Sequence, residues 1–558
     1  MHSTLINSSQ VIKIKLDVGK ILLIFFVAIF FYIGPGAVFD HKIMHDFPYG
    51  YGASDAFQHQ IRAEAIKDSG NFRYEASYIS KGFENVVGRY PPIIYHLSVI
   101  FSYLSGLEIY DSIYFIVLFF AVIAVLVMYT IIADFNRNVA IMSLPLTILI
   151  FTYPIFAGFA WGHWPSLLSQ TFLIVFFWSI LRIDLDKSYI IMSGLITAIV
   201  MTHTSEAVFA IMFLGLFSLV RLISGNFKKS DIKKTTIAFA VSFIASAYYL
   251  IIFENTFAKG ESYSFLVEPI WQGNPGFYII GFGLLVVFIA AGVVFSLFKI
   301  KGMHVSLILA VTMLIGGFMN YIGFSLRSFQ VRFFWPLYLS VLFGFGMYMI
   351  VKLIIKKWNM IYTISIFVIL MALITGIIKL PFMPSYSVIS SQGIMDQYHW
   401  SSLNWLSKNA ESNVKIYFFY GDIYSQDALL RNSKRVHYQV DPDDFINAIK
   451  NRTIKRSYVS KLPGDNGGSL AVRTGIFTLK DSSEGKPPEF FFGPQDICQF
   501  NYIVFDKLSQ QPVLAQYNLL IANDLLKKDY IKKVFENGVV VVLKNNNIGA
   551  DCIEERSF

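Results

Sequence analysis

The chain has 558 residues, 55% of them hydrophobic and only 15% charged, with 54 phenylalanines, a net charge of +9 and a mean hydropathy of +0.54. Such an apolar composition excludes an ordinary soluble protein and marks a polytopic membrane protein. The basic residues fall in short clusters between apolar runs, as topology signals do, so the positive charge is not read as a nucleic-acid surface and no nucleic-acid partner is expected.

Lys13, Lys15 and Lys20 precede an apolar run from Ile21 to about Phe39, which reads as an uncleaved signal anchor with its basic end in the cytoplasm. A polar stretch follows, residues 40–106, containing "GYGASDAFQHQIRAEAIKDSGNF". A serine precedes Asp55, the run favours helix, and Gly70 suits a C-terminal cap, so a helix is expected from Ser54 or Asp55 onward. On it Asp55, His59 and Arg62 recur at i, i+4 and i+7 and share a face. A carboxylate, an imidazole and a guanidinium placed so suit acid-base work or phosphate handling. The plainer alternative makes Asp55 only a helix cap, and Asp40, His45 and Asp46 are rival site residues.

Crossing about 30 Å of hydrocarbon takes about 20 residues. Besides the first run, 110–132, 139–158, 165–181, 188–203, 205–220, 235–255, 277–298, 303–324, 333–351 and 358–380 qualify. The run at 91–107 opens with two prolines and carries His96. If it crossed, the cluster from Arg221 to Lys234 and the pair Lys356 and Lys357 would face outward, against the positive-inside rule. Placed on the outer surface instead, it leaves those residues inside together with Arg137, Arg182, Lys187, Lys299, Lys301 and Lys352. The expected fold is a polytopic α-helical membrane protein with about eleven transmembrane helices, a cytoplasmic N-terminus and a C-terminal α/β domain on the exterior side. The expected boundary separates residues 1–382, with a long first outer loop at 40–106, from residues 383–558.

The outer loops hold "FAWGHWPS", "MTHTSEA" and "FSLRSFQVR". Glu206 beside His203 reads as a second carboxylate at the outer end of a membrane segment, or as a helix-start residue with Thr204 or Ser205 capping. Arg327 and Arg332 suit gripping a lipid phosphate, or snorkelling to the headgroups. Trp161, His163 and Trp164 line a site or belong to the interfacial aromatic belt, and Arg89 and His96 are similar cases. In the C-terminal part, "NVKIYFFYG", "SLAVRTGIFTL", "YIVFD" and "GVVVVLKN" read as strands, and "WSSLNWLSKN" and "QYNLLIANDLLKK" as helices. Tyr420, Gly421 and Asp422 read as a strand end and turn. Asn451, Arg452 and Thr453 form a glycosylation sequon. Cys498 and Cys552 share the exterior compartment, and the spacing of two cysteines supports no zinc site.

The pattern D-x-x-x-H-x-x-R-x-x-x-I-x-x-x-G from Asp55, followed by "RYPPIIYHLSVIFSYLSG", resembles the first outer loop of GT-C membrane glycosyltransferases. The "DAFQHQIRAEAI" part resembles most the oligosaccharyltransferase catalytic subunit and related archaeal membrane proteins. The resemblance implies a glycosyltransferase that moves a sugar, with inversion, from a polyprenyl-phosphate-linked donor to a glycan, lipid or protein acceptor at the outer face of the cell membrane. It makes Asp55 the catalytic carboxylate, either as base to the acceptor or as a ligand orienting it through a divalent ion such as Mg2+ or Mn2+. The second acidic motif of oligosaccharyltransferases has no acid here in "FAWGHWPS", and their W-W-D-Y-G motif is matched only by "IYFFYGDIY" after "LNWLSKN". Glu206 is the other catalytic candidate, and His59, Arg62, His163, His203, Arg327 and Arg332 are the candidate substrate-binding residues. The alternatives are oligosaccharyltransferase-like transfer to protein, a transporter or flippase, and a non-catalytic surface-binding protein. A transporter would place polar or broken helices near the bilayer midplane, whereas these runs are dominated by Ile, Leu, Phe and Val.

Overall fold

A computed structural model describes residues 17–52, 54–70, 91–152, 155–247, 275–298, 300–322, 328–355, 357–377, 395–411, 416–418, 501–508 and 525–548, with a few isolated positions besides. Helix α1 (Val18–Phe39) starts where the Asp17 carboxylate accepts a hydrogen bond from Lys20 N at 3.0 Å, and stops at Asp40 in left-handed backbone. The polar helix α2 (Ser54–Ser69) ends at Gly70, φ 62°. Pro91 and Pro92 precede α3 (Ile93–Ser105), which Gly106 ends at φ 75°. The long apolar helix α4 (Ile109–Phe135) follows, and Asn136 then opens α5 (Arg137–Thr147) by accepting from Asn138 N and Val139 N.

Pro165 sits in the first turn of α6 (Trp164–Ile180), where its missing N–H costs no helical bond. Then come α7 (Ser188–Val200), α8 (Ser205–Ile223), α9 (Lys229–Ala245), α10 (Val286–Phe298), α11 (Val305–Gly316), α12 (Ser340–Ile354) and α13 (Met360–Ile377). Among the described residues, three helices are long and apolar enough to cross a membrane: Val18–Ala37, Ile109–Phe135 and Ser205–Ile223. Phe329–Tyr338 and Ser340–Ile354, bent by 41°, make a fourth if they are one broken span. The break falls at Leu339, directly after the Trp335–Tyr338 turn that carries Pro336 in its first positions. The apolar runs read from the sequence thus carry helices, several of them shortened by 3-10 turns such as Ile148–Phe151 and Gly283–Leu285.

Close helix crossings hold the bundle together. A Cβ on Gly292 of α10 would lie 2.0 Å from the Leu342 carbonyl oxygen, and one on Gly346 of α12 would lie 2.0 Å from that of Phe288. Only glycine lets these two backbones touch, the usual device where lipid gives helices no hydrophobic reason to associate. The doubtful run at 91–107 is the helix α3, which packs along α2 and α4.

The described residues of the C-terminal part form one helix and four strands. Asp396 caps α14 (Gln397–Asn409) by accepting from Tyr398 N and His399 N, each at 2.9 Å. The helix packs on a four-stranded sheet of order β1-β2-β4-β3, built from β1 (Ile416–Phe418), β2 (Tyr502–Asp506), β3 (Ile531–Glu536) and β4 (Val540–Asn545). β1 and β2 are parallel and the other two pairings antiparallel. β3 was not among the strands expected: it is an edge strand with adjacent lysines and mostly exposed positions, so its apolar alternation is faint. "SLAVRTGIFTL" lies outside the described residues. Trp400 of α14 meets Tyr110, at the start of α4, edge to face at 6.0 Å, so this unit seats at the end of the bundle that carries the first loop.

Candidate functional site

Four segments widely separated in the chain converge at that end. The Gly52 amide donates to the Ala160 carbonyl at 2.7 Å, tying the approach to α2 to the second loop. Gly162, at φ 83°, lies against the first turn of α2 so closely that a Cβ there would be 2.4 Å from Ala56 N and 2.8 Å from the Asp55 carbonyl carbon. The Ile93 amide donates to the Met201 carbonyl at 3.1 Å, and Gln330 Nε2 meets His163 Nδ1 at 3.0 Å. The polar stretches of three loops and the segment before α12 therefore come together.

Asp55 is half-buried in the first turn of α2, where Gln58 Nε2 donates to its Oδ1 at 3.3 Å. The rest of α2 is unusual for a polar helix, because it is sunk into the protein. His59 is 4% exposed and Arg62 fully buried. His59 Nδ1 meets the Tyr95 hydroxyl at 2.8 Å, and the ring packs against Trp164 at 5.8 Å between centroids. Burial drives the His59 pKa well down, and the charges of Arg62, His163 and His203 push the same way, so the ring is neutral at pH 7. Glu64 is driven up by burial despite a 2.7 Å bond from Gln60 Nε2.

Glu206, 1% exposed, has both oxygens engaged: Ser166 Oγ donates to Oε1 at 2.6 Å and His203 Nδ1 lies 2.5 Å from Oε2. Thr204 takes the N-cap position of α8 without a side-chain cap bond, and Glu206 is held by one distant partner, Ser166, and one local partner, His203. From Ser166 the chain of bonds continues through Gln170 Nε2 at 3.0 Å, from that same nitrogen to the Gln330 carbonyl at 3.1 Å, and so to His163. His163 also stacks on Phe333 at 5.2 Å.

Arg332 is fully buried. Its Nε donates to the Gly317 carbonyl at 2.8 Å and its Nη2 to Asn320 Oδ1 at 2.7 Å, with Tyr278 and Trp335 under the guanidinium. Arg327 lies outside the described residues, as do Arg89, Tyr420, Gly421, Asp422, the sequon at Asn451, Cys498 and Cys552. Of the rival acids, Asp40 and Asp46 are exposed, and His45 is bound to Asp111, with Nδ1 2.8 Å from Oδ1. Trp164 is not an interfacial belt residue: it is fully buried against Tyr51, Tyr114 and His59, and its indole donates to the Phe159 carbonyl. Ser166, Gln170 and Gln330 are the members the sequence reading missed. The signal was there, since Ser166 and Gln170 are polar residues at i, i+4 inside an apolar helix.

Among the described residues no three His, Cys, Asp or Glu side chains converge as metal donors. Glu206 has both oxygens engaged by Ser166 and His203, and no step is routed through a divalent ion. The two cavities of note lie elsewhere, among basic residues at the other end of the bundle.

Structural comparison gives the class of fold. ArnT from Cupriavidus metallidurans, in the apo state, superposes with a TM-score of 0.50 at 12% identity over 94% of this chain and 98% of that one. The arabinofuranosyltransferase AftD from Mycobacteria does so with a TM-score of 0.54 at 11% identity, over 96% of this chain and 42% of that one. The oligosaccharyltransferase AglB from Archaeoglobus fulgidus aligns at 12% identity with a TM-score of 0.45, over 75% of this chain, which spans 64% of AglB's length. The fold is similar to those of ArnT and AftD. No protein-family model and no curated protein matches the sequence.

Proposed function

We propose that this protein is a glycosyltransferase that moves a sugar from a polyprenyl-phosphate-linked donor to an acceptor at the outer face of the membrane, with Asp55 as the catalytic carboxylate. The observation that carries this reading is the state of Asp55. It is the half-buried acid at the junction of the converging loops, and the Gln58 side chain that donates to it belongs to its own helix. The neighbouring acids are spent: Glu206 on Ser166 and His203, Asp111 on His45, and Glu64 on Gln60.

In the step, Asp55 takes the proton of an acceptor hydroxyl as that oxygen bonds to the anomeric carbon. The bond from that carbon to the phosphate oxygen breaks on the opposite face, and the phosphate leaves with the electron pair, inverting the centre. Donor phosphate needs a cation. Arg327, three residues before the Gln330 that touches His163, would supply it, because Arg332 is fully buried with its Nε on Gly317 and its Nη2 on Asn320. His59, buried, neutral and bonded to Tyr95, supports the helix that carries Asp55 rather than acting as a second cation. A site at the bundle end suits a reaction whose donor tail stays in lipid while its acceptor stays in water.

The test is sugar transfer by purified protein from a panel of labelled polyprenyl-phosphate and polyprenyl-diphosphate donors, wild type against Asp55→Asn, with and without chelator. Transfer should fall by about 100- to 10,000-fold in the variant with its thermal unfolding unchanged. Transfer indifferent to Asp55 overturns the reading, and loss of wild-type transfer on chelation overturns the metal-free step.

A further inference from the structure

A cavity of about 490 Å³ lies at the opposite end of the bundle from Asp55, where α4 ends and α5 begins. Phe135, Phe345, Tyr348 and Met349 form its walls, and Asn136 and Lys352 provide the polar groups. We propose that it binds an anionic membrane phospholipid, with the headgroup phosphate on Lys352 and an acyl chain against the aromatic wall.

The residues select this occupant. Lys352 stands in the last turn of α12, with its ammonium 5.6 Å from the centroid of the Tyr348 ring, which fixes the charge at the mouth of an otherwise apolar space. Among the described residues it has no carboxylate partner, and acids at this end are committed elsewhere, Asp134 to Arg182 and Asp231 to Arg221. A soluble anion has no use for aromatic and thioether walls, and a neutral acyl chain has none for a lysine. Arg137 is paired with Asp17, but Lys301 and Lys357 stand on segments whose His304 and Trp358 pack against Phe135 and Tyr348, so the local field favours a negative headgroup. This is the end that charge placement assigns to the cytoplasm, where the leaflet is anionic.

Full-length protein in neutral detergent would be titrated with phosphatidylglycerol, phosphatidylcholine of the same acyl chains, a polyprenyl phosphate and inorganic phosphate. Binding would be read by native mass spectrometry and by the shift in thermal unfolding. Phosphatidylglycerol should bind about fivefold more tightly than phosphatidylcholine. Lys352→Gln should erase that preference and Lys352→Arg keep it, while Met349→Trp, which fills the cavity, should weaken both lipids. Equal binding of the two phospholipids, or Lys352→Gln binding like wild type, overturns the proposal. Inorganic phosphate binding as well as the lipid would make this a soluble-anion site, and polyprenyl phosphate displacing phosphatidylglycerol would make it a site for the donor lipid; either result overturns it as well. Sugar transfer enters none of these readouts, so the outcome is independent of the role proposed for Asp55.

Discussion

Gly162→Ala would separate a site built by the second loop from one built by α2 alone. Gly162 sits at φ 83°, and an added methyl would meet Ala56 N at 2.4 Å and Ala56 Cα at 2.7 Å. The left-handed backbone alone costs an alanine about 1–2 kcal/mol. The clash is with backbone, not with the end of a flexible side chain, so the loop and the first turn of α2 must part by about 1 Å to restore an ordinary contact near 3.5 Å. A displacement of that size at a catalytic carboxylate costs about 100-fold in turnover. The control is Gly70→Ala at the other end of α2, where φ is 62° and nothing lies within 4 Å of the added methyl. It carries the same backbone penalty without the clash. The assay is transfer from a labelled polyprenyl-phosphate sugar alongside thermal unfolding. Gly162→Ala should lose about 100-fold in activity while its stability falls no more than a few kcal/mol. Equal activity in the two variants would refute the claim that the Gly162 turn sets the position of Asp55.

Other perturbations test the buried polar network. Glu206→Ala leaves the Ser166 hydroxyl and the His203 ring without their shared acceptor, and should destabilise the protein by about 3 kcal/mol. Glu206→Gln, which keeps an acceptor for Ser166, should lose less. Wild-type stability in Glu206→Ala, read by heat inactivation, would contradict the network. His59 gives a pH dependence. Its folded pKa lies below the unfolded value of about 6.5, so as pH falls through that value the unfolded chain takes up a proton that the folded one refuses. Unfolding temperature should therefore drop between pH 7 and 5 more steeply in wild type than in His59→Gln. Parallel curves would show that His59 is not buried neutral.

Helix α2 shows how far local signals reach. Ser54 at its start, Gly70 at its end and the face shared by Asp55, His59 and Arg62 were all legible, because helix boundaries and the 3.6-residue period are written in neighbouring residues. Apolar runs placed the helices for the same reason, and charge clusters marked which bundle end is polar and which basic. The depth of α2 was not legible: a segment with that polarity reads as solvated, yet His59, Gln60 and Arg62 are buried by α3, the Gly162 turn and Trp164.

Glu206 makes the complementary case. In sequence it was a free carboxylate at a helix start, and whether Thr204 or Ser205 capped that helix was a local question. Ser166, 40 residues away, and His203 decide its state instead. Likewise Arg332 reads as an open cation beside a loop, while Gly317 and Asn320 take its donors inside the bundle. Residue order therefore fixed the helices, their ends and the chemistry available at one face of the membrane. How the Glu206 carboxylate and the Arg332 guanidinium are held was decided only when separate segments packed together, because hydrogen-bond partners for a buried charge come from whichever chain lies within about 3 Å of it.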